Sequence, residues 1–172
     1  MSSMATFNKC RNNSYRDRFG NLWLPQRDSI CKQRSGAFGI SFNRHRKLLL
    51  TYPEFDPHWP QLPGGGIEVG EDPIQALLRE YNEEVGRVRS IKTAALGQYQ
   101  FLYYADDKKE FWRYTQYYFW VEINDAAIPH FGRWPSPEGA WAAWRHCSVL
   151  MPLHYIHKKV LLRLLRTQAV AF

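Results

Sequence analysis

The spacing of apolar positions along the chain predicts most of its elements. Residues 36–42 and 47–52 are rich in aliphatic and aromatic side chains and flank the polar turn Asn43, Arg44, His45, Arg46, which predicts a hairpin. Leu22, Trp23 and Leu24 after Gly20 predict a short strand or hairpin arm. Pro53, Pro57, Pro60 and Pro63 bar a helix from residues 53–63, and Gly64, Gly65 and Gly66 follow as a flexible loop. From Ile74 to Val85 there is no Pro or Gly; Asp72 supplies an N-cap, Pro73 a first helical position and Gly86 a stop, so one helix is expected. Two long aromatic runs, 94–104 and 111–123, lie either side of the charged turn Asp106 to Lys109 and read as an antiparallel pair. A short apolar segment follows at 140–144. Residues 154–168 place Ile156, Val160, Leu161 and Leu164 on one helical face, with Lys159, Arg163 and Arg166 on another.

Composition narrows the class. Aromatic residues make up 16% and charged residues 23%, which suits one compact domain and excludes intrinsic disorder. Cys10, Cys31 and Cys147 are odd in number and form no C-x-x-C pair, so reduced thiols in the cytoplasm are expected. No apolar stretch is long enough to span a bilayer, and the polar, basic N-terminus has no signal-peptide core. No membrane partner is expected. The domain is expected to cover residues 35–172, with residues 1–34 an N-terminal extension or short β arm.

Charge adds a third layer. Residues 1–50 carry ten Lys and Arg against two acids, residues 51–86 one against eight, and residues 87–172 twelve against six. An acidic island in a basic chain suits a site that holds divalent cations while its surroundings attract a polyanion. On a continuous helix Glu80, Glu83 and Glu84 fall within an arc of roughly 100°, beside the apolar arc of Leu77, Tyr81 and Val85. Clustered carboxylates repel unless cations neutralise them, and their oxygens suit Mg2+, which takes phosphate oxygens as further ligands. Arg79 can hold a neighbouring carboxylate, Glu83 or Glu71, in position. The glycines at 64–66 let the backbone come close to a metal or phosphate.

These residues carry a resemblance. Gly65, Glu71, Arg79, Glu80, Glu83, Glu84 and Gly86 fill all seven fixed positions of the Nudix box, G-x5-E-x7-R-E-U-x-E-E-x-G-U, in which U is bulky and apolar. Tyr81 takes the first U position, and Arg87 departs from the second. The resemblance implies an α/β fold, an α/β/α sandwich around a mixed β-sheet. It also implies Mg2+- or Mn2+-dependent hydrolysis of a phosphoanhydride in a nucleoside diphosphate-linked compound, such as a nucleoside triphosphate or dinucleoside polyphosphate. In such a site Glu80, Glu83 and Glu84 would be metal ligands together with the Gly65 carbonyl, Glu71 would support the box, and Arg79 would orient a carboxylate.

The attacking water needs a proton acceptor. Glu138, in Pro135-Ser136-Pro137-Glu138, resembles a loop carboxylate that reaches the metals in several members of the family; Glu110 and Glu122 are alternatives. For substrate binding Gly64, Gly65, Tyr103 and Trp59 are candidates, Trp59 either stacking on a base or capping the core. Trp112, Gln116 and Glu138 resemble the branch that acts on dinucleoside polyphosphates or on 5′-triphosphorylated RNA, so nucleic acid is expected only as substrate. A non-catalytic nucleotide- or nucleic-acid-binding module is the other reading. The six histidines form no zinc pattern, and no G-x-S-x-G motif is present.

Overall fold

The computed structural model describes residues 8–10, 13–54, 56–86, 91–123, 133–135, 141–147 and 152–167. Glu138 and Arg87 lie outside these residues.

The aromatic runs form the spine of the larger sheet. Strands β7 (Ile91–Ala105) and β8 (Glu110–Ile123) pair antiparallel from Ile91↔Ile123 to Ala105↔Glu110, with a bulge between Ala95 and Gly97. On the other edge of β8, β4 (Ile30–Ile40) runs parallel, from Cys31↔Phe111 to Ile40↔Trp120, which makes the sheet mixed. The glycines form a strand rather than a loop: β6 (Gly64–Gly66) pairs antiparallel with Gly36, Ala37 and Phe38 of β4. A side chain at Gly64, where φ is 134°, would place Cβ 2.1 Å from the Ala37 carbonyl oxygen, so this pairing requires glycine.

The expected hairpin at 36–52 forms only at its turn. Asn43 Oδ1 accepts from the backbone N–H groups of His45 (2.9 Å) and Lys47 (3.0 Å). Beyond the Phe42↔Leu48 bridge the strands part, and β5 (Lys47–Tyr52) leaves to pair with β10 (Trp141–His146) over six residues. Residues Leu48 to Tyr52 are all buried, so β5 has core on both faces although it is an edge of the second sheet, in which β10 is central and β9 (Arg133–Pro135) forms the other edge.

Helices cover both sides. On one side α2 (Tyr155–Arg166) sets Ile156, Val160, Leu161 and Leu164 against Phe38, Tyr114 and Tyr118 of the larger sheet and Leu48 and Leu50 of β5. On the other, α1 (Pro73–Glu80) and the turn after it set Ala76, Leu77, Tyr81 and Val85 against Ala37, Leu49, Phe119 and Val121. This is the α/β/α sandwich. Among the described residues no helix is long and apolar enough to cross a membrane.

Residues before β4 join the same sheet through β1 (Asn8–Lys9), β2 (Tyr15–Arg16) and β3 (Leu22–Trp23). Asp17, 1% exposed, fixes the β2–β3 turn by accepting from Phe19 N, Asn21 N, Asn21 Nδ2 and Trp23 Nε1 at 2.9–3.0 Å. Trp23 stacks on Tyr104 at 4.2 Å. A boundary at residues 34/35 therefore falls inside β4.

Candidate active site

The start of the carboxylate helix is as its sequence predicts. Asp72 accepts from Ile74 N and Gln75 N, and Gln75 Oε1 accepts from Asp72 N, a complete capping box ahead of Pro73. The end is not. A single helix over 74–85 was expected, but α1 stops at Glu80 and the chain continues as a π-helical turn, Tyr81–Val85, before Gly86 at φ 111°. The wider turn accommodates Tyr81, whose fully buried ring packs against Gly39 and whose hydroxyl lies 2.9 Å from Ser41 Oγ.

That change redistributes the glutamates. Arg79 donates Nε to Glu71 Oε1 (2.8 Å) and Nη2 to Glu71 Oε2 (3.1 Å), a bidentate pair. Its Nη1 donates to Glu80 and Glu83, both at 2.9 Å, and Nη2 also to the Gly66 carbonyl at 2.8 Å. Both sequence candidates for the Arg79 partner are thus engaged, with Glu80 as a third. Hydrogen bonding from Arg79 holds the Glu71 carboxyl below its ordinary range, and Glu71 in turn raises the Arg79 pKa.

Glu84 faces elsewhere. It is 8% exposed and accepts from Gly64 N (2.7 Å), Gln61 Nε2 (3.2 Å) and Thr51 Oγ1 (3.5 Å), so it spans β5 and β6. Among the described residues, no three Asp, Glu, His or Cys side chains are gathered round one ion position, because Arg79 engages Glu80 and Glu83 while Glu84 is bound to the glycine strand. The donor chemistry nevertheless fits a hard divalent cation. Three carboxylates, Glu71, Glu80 and Glu83, face one guanidinium with Glu84 on the glycine strand beside them, every donor is oxygen, and the Glu80 carboxylate lies so near Gly65 that an added Cβ there would stand 2.4 Å from Oε1.

Two hollows adjoin the glycine strand. One, about 160 Å³, is lined by Gly64, Gly65, Gln61, Tyr103, Gln116 and His157 among others. The other, about 390 Å³, borders Gly66 and Ile67 and carries Arg34, Lys108 and Trp112; both cations lie over the Trp112 ring, at 5.3 and 5.4 Å from its centroid. Gly64, Gly65 and Tyr103 thus border the smaller hollow. Trp59 packs edge-to-face on Phe19 at 5.2 Å. Glu110 is ion-paired with Lys32, which lowers its pKa, and accepts from Trp112 Nε1 at 2.8 Å. Glu122 is exposed on β8, opposite Lys92.

Sequence reasoning missed Gln61, Arg34, Lys108, His154 and His157 at these hollows. His157 shares the buried face of α2 with Ile156 and Val160, so the helical periodicity that marked the core was the one signal available for it. For Gln61 no local pattern existed: its role arises because the turn at 81–85 brings Glu84 to it.

The family model for the NUDIX domain matches residues 32–164. Over 53 residues, 29% of the chain, the sequence is 43% identical to the 8-oxo-dGTP diphosphatase of Escherichia coli (strain K12), covering 41% of that protein. Over 74 residues, 42% of the chain, it is 38% identical to the RNA pyrophosphohydrolase of Rhizobium meliloti (strain 1021), covering 43% of that protein. The matches thus span less than half the length of these relatives. Among solved structures, the dihydroneopterin triphosphate pyrophosphohydrolase of E. coli aligns with a TM-score of 0.59 at 16% identity, over 77% of this chain and 95% of that one. A MutT protein from Methanosarcina mazei Go1 aligns with a TM-score of 0.60 at 18% identity, over 80% and 96%. At such identities the structural likeness shows the fold.

Proposed function

The chain belongs to the Nudix family, and from that premise we propose that it is a metal-dependent pyrophosphohydrolase that cleaves a phosphoanhydride in a nucleoside diphosphate-linked compound, a nucleoside triphosphate or dinucleoside polyphosphate. The observation that carries this reading is the carboxylate set around Arg79 and Gly65, packed on a glycine strand that borders two hollows of nucleotide-compatible chemistry.

Glu80, Glu83 and Glu84, with the Gly65 carbonyl, would hold Mg2+, or Mn2+ in its place. When bound, such an ion neutralises phosphate charge and makes an attacking water more acidic. The protein's own residues do the rest. Arg79 fixes Glu80 and Glu83 in orientation, and Glu71 holds Arg79. The Gly64 amide and Gln61 orient Glu84. Arg34 and Lys108 attract the phosphate chain to the wider hollow. Glu138 is the candidate to accept the proton of the attacking water. Three unpaired cysteines accord with action in the cytoplasm.

A 5′-triphosphorylated RNA is the second reading. The basic hollow of Arg34, Lys108 and Trp112 favours it, since cations beside an aromatic ring suit a nucleic-acid end. Incubating the protein with a panel of nucleoside triphosphates, dinucleoside polyphosphates and triphosphorylated RNA, in Mg2+ and then Mn2+, with products resolved by chromatography, tests both. Turnover of free nucleotides supports the first reading, and turnover of RNA alone the second. No turnover in either metal rejects both.

A further inference from the structure

The smaller hollow holds buried polar atoms with no hydrogen-bond partner among the described residues. His157 is 1% exposed, and its Nδ1 accepts from the Leu62 backbone N–H at 3.1 Å. The ring proton therefore sits on Nε2, which has no hydrogen-bond partner among the described residues. Gln116 is fully buried; its Oε1 accepts from the Tyr118 hydroxyl at 2.6 Å, and its Nε2, on the side of Tyr114, makes no hydrogen bond of good geometry among the described residues. Both residues line the hollow. His154 Nδ1, in the same hollow, is likewise without a partner among the described residues, while its Nε2 lies 3.2 Å from the Tyr103 hydroxyl. The His157 and Gln116 donors are thus left for an acceptor that the described residues do not supply, an arrangement that is costly unless a ligand completes it.

We propose that this hollow is a base pocket that selects oxo-bearing over amino-bearing nucleobases, with the Gln116 amide and the His157 Nε2–H as its specificity-determining donors. The inference rests on the hydrolase reading and names the substrate class for that site. Size favours one planar ring: about 160 Å³ is well short of the roughly 300–1,000 Å³ of sites that enclose a whole drug-sized ligand. The walls are aromatic, with Phe38, Tyr103 and Tyr114.

Charge excludes a phosphate there. Arg18, at the rim, is engaged by Asp106 at 2.7 Å and Asp56 at 3.7 Å, and Asp107 adds a negative charge. His154, stacked on His157 at 4.5 Å, and His157 itself are kept neutral because burial pushes both pKa values down, to about 3 for His154. In this neutral pocket the His157 and Gln116 donors fit O6 and N7 of a 6-oxopurine or O4 of a uracil-type ring. It sets donor against donor at the exocyclic amine of adenine or cytosine.

The test compares inosine and adenosine 5′-monophosphate, which differ at the C6 group and its adjacent ring nitrogen, in equilibrium binding to the full chain without metal. Binding at least about tenfold tighter for inosine is expected, since a site built to donate hydrogen bonds rejects an analogue that leaves its donors unpaired. Gln116→Leu, with folding checked by circular dichroism, should bring the ratio towards unity. The wild-type ratio decides the matter even where that variant does not fold. A ratio within twofold, a preference for adenosine, or no binding of either nucleotide overturns the proposal. Base-independent hydrolysis with no binding preference removes the pocket and leaves the hydrolase; oxo-selective binding without turnover in any metal supports the pocket and removes the hydrolase.

Discussion

Gly65→Ala isolates the contact between the glycine strand and the carboxylate helix. The added Cβ would stand 2.4 Å from Glu80 Oε1, 2.6 Å from Cδ and 2.8 Å from Oε2, where ordinary contact begins at 3.4 Å. Glu80 must retreat by about 1 Å, and its carboxylate, mostly covered but at the end of a flexible side chain, can do so without moving the backbone. Folding stability should therefore fall little, by about 1 kcal/mol. A displacement of about 1 Å in a positioned group lowers turnover about 10²-fold. Gly66→Ala is the steric comparison, because a Cβ there meets nothing within 4 Å. Initial rates at saturating substrate and Mg2+, beside thermal unfolding of the same preparations, give both quantities. A Gly65→Ala enzyme as fast as Gly66→Ala, with its fold intact, would refute the placing of Glu80 against Gly65 as part of the catalytic arrangement.

Other expectations follow from individual groups. Burial alone would raise the Asp17 pKa, but hydrogen bonds from Trp23, Asn21 and Phe19 outweigh it and hold it below the ordinary value. Its stabilisation is thus present above the unfolded pKa near ~3.9 and lost as pH falls through the lower folded value. Asp17→Asn should cost about 2–4 kcal/mol at pH 6 in urea unfolding and progressively less towards pH 3, and a gap that does not shrink contradicts the assignment. His154 and His157 have depressed folded pKa values, so below about pH 6.5 the unfolded chain binds protons that the folded one does not. Stability should fall as pH drops, by up to about 1.4 kcal/mol per unit for each histidine, and urea midpoints unchanged between pH 7 and 5 would oppose this. Glu138→Gln should lower kcat ~10²-fold or more with little change in KM, and a near-normal rate moves the base to a box glutamate.

What the sequence disclosed was local. Asp72, Pro73 and Gly86 bound the helical segment through capping and backbone preferences that act over a few residues, and the charges at 71–84 lie close in sequence. What it concealed depends on distant partners. Nothing in residues 47–52 names β10 as the mate of β5, because a strand buried on both faces shows no alternation to orient it. The expected arc of Glu80, Glu83 and Glu84 assumed regular helix, and the π-helical turn around buried Tyr81 carries Glu84 to Gly64 instead. His154 and His157 were set aside for want of a metal-binding pattern, yet their importance lies in burial beside Gln116, which is 38 residues or more away in sequence.

The claim at the centre is that the Glu84 carboxylate, bound to the Gly64 amide, belongs to a metal-dependent hydrolytic site. Phosphorus NMR of a nucleoside triphosphate incubated with Mg2+ and either the wild-type chain or Glu84→Gln tests it most directly. The account predicts that anhydride signals give way to those of shorter phosphates with the wild type, that a chelator stops the reaction, and that the folded Glu84→Gln protein leaves the nucleotide intact. Hydrolysis by Glu84→Gln at the wild-type rate, or hydrolysis that continues undiminished in excess chelator, would contradict it.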